Sequence, residues 1–185
     1  LVGMSKILII GDSCTDIFVY GTCNRICPEA PVPILNPIKT TKNGGMAKNV
    51  SRNLNKMGAD VKIVTNSNDI KKTRYVDDKT NSIMLRIDES DFTKRINQED
   101  LKQITYNSYK GFQYDALVIS DYCKGFLNET DIQFLIENNH SVFLDTKRKL
   151  SDWVYGVNYL KINEKEYDKT KDYINYRKIN YHQRV

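Results

Sequence analysis

The chain has 185 residues, with 28 Lys and Arg against 23 Asp and Glu, for a formal net charge of +5. That length suits one α/β domain large enough to bury a core. No apolar run reaches the roughly 18 residues of a membrane span, and the first apolar stretch, Ile7 to Ile10, is too short for a secretory leader, so a cytoplasmic protein with no membrane partner is expected.

Residues 6–11, Lys-Ile-Leu-Ile-Ile-Gly, read as a strand buried on both faces of a parallel sheet. Residues 17–40 hold four prolines (Pro28, Pro31, Pro33, Pro37) among β-formers, and residues 73–88 alternate apolar and polar. Proline belongs to edge strands, so these two segments predict a small exposed antiparallel sheet outside the parallel one. Asn43-Gly44-Gly45 opens a helical pattern of Met46, Ala47, Val50, Leu54 and Met57 that Gly58 closes. Val61 to Val64 supplies the next strand, which completes a right-handed βαβ unit.

The alternation resumes at Ala116 to Ser120, a buried strand ending at Asp121. A helix over Asn128 to Glu137 follows, capped by Asn128 or Thr130 with Ile132, Leu135 and Ile136 inward. Ser141 to Asp145 and Tyr159 to Asn163 read as further strands. The fold class expected is α/β: a mostly parallel sheet with helices on both faces plus a small antiparallel β lid. One domain is expected over residues 4–185, with Leu1, Val2 and Gly3 before Met4 set aside. The tail from Tyr167, and residues 168–185 above all, is polar and expected to bury little.

Four carboxylates follow predicted strands, namely Asp12 and Asp16 after the first, Asp121 after the third and Asp145 after the fourth. In open α/β sheets, ligands bind outside those strand ends. A lone aspartate there is usually a cap or turn former; four at equivalent places weaken that alternative. Gly44-Gly45 at a helix start offers free N–H groups to a hydroxyl or anion.

Other chemistries are poorly served. There is no G-x-x-x-x-G-K-[ST] and no G-x-G-x-x-G. The two histidines, His140 and His182, sit in a helix-end loop and in the tail, which disfavours a triad or a histidine metal site. Cys14, Cys23, Cys27 and Cys123 are too sparse for a disulfide scaffold and read as reduced residues. Lys and Arg are scattered with only short pairs such as Lys71-Lys72, so no nucleic-acid partner is expected.

In order along the chain, residues 6–167 resemble the ribokinase-like (PfkB) carbohydrate kinases, and within them the heptose 7-phosphate kinases of ADP-heptose synthesis. The resemblance rests on Ile-Leu-Ile-Ile-Gly-Asp12 with Asp16, on Asn24 to Pro33, and on Asn43-Gly44-Gly45-Met46-Ala47-Lys48-Asn49-Val50. It continues through Lys72-Thr73-Arg74-Tyr75, Leu85-Arg86-Ile87-Asp88, Ser120-Asp121-Tyr122-Cys123-Lys124-Gly125, Asp145-Thr146-Lys147 and Asn163-Glu164-Lys165-Glu166.

The resemblance implies phosphoryl transfer from ATP, with Mg2+, to a hydroxyl of a sugar phosphate. It implies Asp12, Asp16, Gly44, Gly45, Asn49, Arg86, Asp121 and Lys124 at the sugar. It places Lys147, Asn163 and Glu166 at the nucleotide, with Glu166 acting on magnesium indirectly. The lid segments, about 17–40 and 73–88, place apolar residues at roughly every second position, so a two-fold lid-to-lid homodimer is expected, the alternative being a lid folded onto its own sugar site in a monomeric chain. The family's G-A-G-D motif, which carries the catalytic aspartate, has no counterpart among the nine glycines. The residues present therefore match the sugar-binding part of such a kinase, and a non-catalytic sugar-binding or dimerisation module is the alternative.

Overall fold

The computed structural model describes residues 4–177. The first half of the chain forms β1 (Lys6–Gly11), β2 (Ser13–Thr22), β3 (Asn36–Met46), α1 (Ala47–Lys56), β4 (Asp60–Thr65), β5 (Ile70–Asp77) and β6 (Ile83–Glu89). The second half forms α2 (Gln98–Lys102), the short strands β7 (Ser108–Tyr109) and β8 (Phe112–Gln113), β9 (Ala116–Asp121), α3 (Glu129–Glu137), β10 (Val142–Thr146), β11 (Tyr159–Lys161) and α4 (Glu164–Arg177).

The body is a five-stranded sheet in the order β11-β10-β9-β1-β4, and every pair in it is parallel. β1 lies inside the sheet, between β9 and β4, and is covered on both faces. Leu8 and Ile10 join the core built with Leu117, Ile119, Leu144 and the α3 residues Ile132 and Leu135, while Ile9 points the other way and is equally buried. Of the two cap candidates it is Asn128, not Thr130, that caps α3, in a reciprocal capping box with Asp131.

The lid is a separate four-stranded sheet, β3-β2-β5-β6. Its outer pairs are antiparallel, but β2 and β5 run parallel, so it is a mixed sheet and not the wholly antiparallel one expected. Pro37 sits near the start of the edge strand β3. Pro28, Pro31 and Pro33 fall in an irregular loop with one isolated bridge, Ile26 to Pro33, which also takes Val32 and Ile34 out of the sheet.

Three local expectations are corrected. Asn43, Gly44 and Gly45 do not open a helix but end β3; the chain reverses at Met46, whose φ of 54° is rare for a residue with a side chain, and α1 begins at Ala47. Met57 is not on a buried helix face but 82% exposed, because α1 stops one residue earlier. The tail buries more than its composition suggests. α4 covers its first part, and Glu166, Thr170 and Ile174 recur every four residues along one helix face that is turned inward. Ile179, His182 and Val185 lie outside the described residues.

Candidate sugar-binding site

The register of the lid sheet sorts its side chains into two faces. Asp16, Lys72 and Asp88 stand in one cross-strand row, and Phe18, Arg74 and Arg86 in the next row on the same face. The opposite face carries the rows Ile17-Thr73-Ile87 and Val19-Tyr75-Leu85. One face is therefore charged and the other largely apolar. The charged face looks onto a cavity of about 620 Å³, closed below by the end of β3, the start of α1, and Tyr122, Lys124 and Lys147 of the body.

Seven of the expected residues line this cavity: Asp16, Gly44, Gly45, Asn49, Arg86, Lys124 and Lys147. Asp16 accepts from Arg74 Nη1 at 2.6 Å, and the Arg74 guanidinium stacks 5.1 Å from the centre of the Phe18 ring. Gly45 is required by close approach, since a Cβ there would lie 2.2 Å from Asp16 Oδ2 and 2.5 Å from Cys14 Sγ. Lys72 is only 5% exposed, and its ammonium bonds Asp88 at 3.0 Å and Asp91 at 2.8 Å. Asp91 also accepts from Lys124 Nζ at 2.5 Å, so one carboxylate ties the lid to the body.

The electrostatics follow from these contacts. The Arg86 fork, at 2.7 and 2.8 Å, holds Asp88 down to about 2 against the effect of burial, with Lys72 helping. Burial opposes the ionisation of Asp91, yet Lys124 and Lys72 together hold it below the ordinary carboxylate value. Burial pushes both the Cys14 and Cys123 thiols up to about 11, which keeps them protonated at neutral pH.

The other four expected residues sit elsewhere. Asp12 is 1% exposed, and its carboxylate accepts the backbone N–H groups of Tyr122 at 2.8 Å, Lys124 at 3.2 Å and Phe126 at 3.3 Å. Its carbonyl accepts from Ala47 N, so it joins β1, α1 and the loop after β9. Burial raises its pKa despite these donors. Asp121 is equally buried and takes Thr146 Oγ1 at 2.7 Å and Arg148 Nε at 2.8 Å. Both aspartates thus shape the cavity floor without lining it.

Asn163 and Glu166 form the capping box of α4, and Glu166 also pairs with Lys147. Lys147 and these cap donors outweigh burial and keep Glu166 below its ordinary value. Both Glu166 oxygens already face protein donors, and no group of three or more His, Cys, Asp or Glu suited to a metal occurs among the described residues. Direct metal ligation by Glu166 does not fit this arrangement.

Sequence reasoning by residue type missed Phe18, Arg52, Lys72, Arg74, Asp88 and Asp91. Alternation offered a signal for some of them: Asp16 with Phe18, and Lys72 with Arg74, are two residues apart and must share a strand face.

The parallel body, the projecting lid and the cavity between them define a ribokinase-like fold. Solved structures agree: a carbohydrate kinase from Agrobacterium tumefaciens (TM-score 0.54, 14% identity, 93% of this chain and 66% of that one) and the ribokinase of Thermotoga maritima (0.53, 15%, 93% and 64%). Phosphofructokinase-2 of Escherichia coli with fructose-6-phosphate gives 0.56 at 11% identity, over 95% of this chain and 68% of that one.

In sequence the chain is a relative of the bifunctional protein HldE. It is 32% identical to that of Campylobacter jejuni over 87% of the chain, and 31% identical to that of Aliarcobacter butzleri over the same share. It spans 40% of the length of each of these curated relatives. No protein-family model matches it.

Proposed function

We propose that this chain is the sugar-binding part of a carbohydrate kinase that transfers the γ-phosphate of ATP to a sugar hydroxyl, with heptose 7-phosphate as the acceptor. The observation that carries this is the cavity itself. Asp16, Asn49 and the Gly44-Gly45 backbone present short polar groups suited to hydroxyls, and they lie beneath a rim of cations suited to an anion. The HldE relatives direct the choice of sugar, and the resemblance supplies ATP and Mg2+, which would bring the transferred phosphoryl group and neutralise its charge. Within this chain, Asp16 and Asn49 would orient the sugar while Lys124 and Lys147 hold positive charge at the cavity floor.

The test is titration of the chain with heptose 7-phosphate by calorimetry, alongside a coupled ATPase assay. Saturable binding supports the reading, and binding without turnover favours a sugar-binding module. Failure of several sugar phosphates to bind would overturn both.

The same reading extends to assembly. The apolar rows Ile17-Thr73-Ile87 and Val19-Tyr75-Leu85 leave Leu85 and Ile87 exposed on the lid face turned away from the cavity. A two-fold lid-to-lid homodimer would cover them.

A further inference from the structure

Six cations line the cavity: Arg52, Lys72, Arg74, Arg86, Lys124 and Lys147. Five of them meet carboxylates. Lys72 meets Asp88 and Asp91, Arg74 meets Asp16, Arg86 meets Asp88, Lys124 meets Asp91 and Lys147 meets Glu166. Arg52 is different. Its Nη2 donates to Asn49 Oδ1 at 2.6 Å and its Nη1 to Asn43 Oδ1 at 3.2 Å, and both acceptors are neutral amides. Among the described residues no carboxylate reaches it, and its remaining N–H groups have no acceptor there.

We infer that Arg52 anchors the phosphate group of the sugar phosphate, a role that rests on the sugar-kinase reading above. Its two amide partners fix the plane of the guanidinium, which leaves the other donors of the fork to a tetrahedral oxyanion. Asn49 lies three residues earlier on α1, on the same helix face, so the amide facing the sugar hydroxyls and the guanidinium facing the phosphate form one continuous surface. The surroundings agree. α1 has no acidic residue in its first turn, and Lys48, four residues before Arg52, also lacks a carboxylate partner among the described residues. A phosphate would therefore meet net positive charge here, whereas at Arg74 or Arg86 it would have to displace a bound aspartate.

Calorimetry on the wild type, Arg52→Gln and Arg52→Lys, with heptose 7-phosphate, the parent heptose and inorganic phosphate as titrants, tests this. Arg52 is exposed, and glutamine can still donate to Asn49, so the variants retain the fold. Losing a charged hydrogen bond should weaken heptose 7-phosphate binding about tenfold or more in Arg52→Gln while heptose affinity holds. Arg52→Lys should keep part of the affinity, because charge without the fork remains. Equal weakening of both sugars would show that Arg52 only orients Asn49, and would overturn the inference. So would unchanged heptose 7-phosphate binding, with the kinase reading left standing. A wild type that binds neither sugar would overturn both.

Discussion

The body and the lid draw on the same β-forming residues but use them in opposite ways. In the body, β1 and β9 place Leu8, Ile9, Ile10, Leu117 and Ile119 where no water reaches them. In the lid, Ile83, Leu85 and Ile87 of β6 stay exposed, and the cavity face is held by Asp16-Arg74, Lys72-Asp88 and Arg86-Asp88 pairs. Stability in the body comes from apolar burial. The lid instead exchanges that for a charged face that can meet a ligand and an apolar face that can meet a second lid. A sheet held by ion pairs with little apolar burial is expected to open locally at lower free energy than the body.

The contrast can be broken most severely in the body. Leu117→Ala removes a fully buried side chain and should cost about 3–4 kcal/mol in chemical denaturation. Leu85→Ala in the lid should cost within about 0.5 kcal/mol per monomer, and a comparable loss at both sites would erase the distinction.

At the junction, Asp12→Asn replaces one acceptor oxygen by an amide facing backbone N–H groups. It should cost about 2 kcal/mol and, by displacing Tyr122 and Lys124, lower sugar affinity as well. A melt and a sugar titration that are both unchanged would contradict that role.

Gly45→Ala separates binding from stability. The added methyl must push Asp16 or Cys14 aside, so sugar affinity should fall more than about tenfold while the α/β body unfolds at its usual denaturant concentration.

Leu85→Glu with Ile87→Lys tests the outer lid face. Light scattering should show a dimer for the wild type and a folded monomer for the double variant, and a wild-type monomer at tens of micromolar would remove the lid-to-lid contact.

The smallest effect is titration of Asp88. Its folded pKa of about 2 lies below the ordinary 3.8, so its pairing with Arg86 and Lys72 stabilises the fold fully above about pH 4. That contribution is lost as pH falls toward 2, and Asp88→Asn should flatten this part of the acid unfolding curve relative to the wild type.

Much of this architecture was legible in the residues. Continuous aliphatic runs marked β1, β4, β9 and β10, and Asn128 marked the start of α3, because backbone hydrogen bonding and burial on two faces leave strong local patterns. The stretch between β6 and β9 gave no pattern, since α2 is five residues long and β7 and β8 two each. The resemblance named Asp12 and Asp121 together with Asp16, yet spacing along the chain says nothing about which carboxylate meets solvent. Asp16 lies on a strand face turned to the cavity, and Asp12 is enclosed by the loop it organises.

By itself, then, the sequence determined the alternation of strands and helices, the lid segments and the presence of strand-end carboxylates, all of which depend on neighbours within a few residues. Only the tertiary structure decided which of those groups converge. Lys72 and Asp91, or Asp12 and Lys124, are far apart in the chain and meet because strand register and crossover connections bring them together. It also decided the charge state of the cavity rim. Whether an arginine meets an aspartate or a neutral amide depends on the packing of separate elements, and that is why Arg52 became distinguishable only in three dimensions.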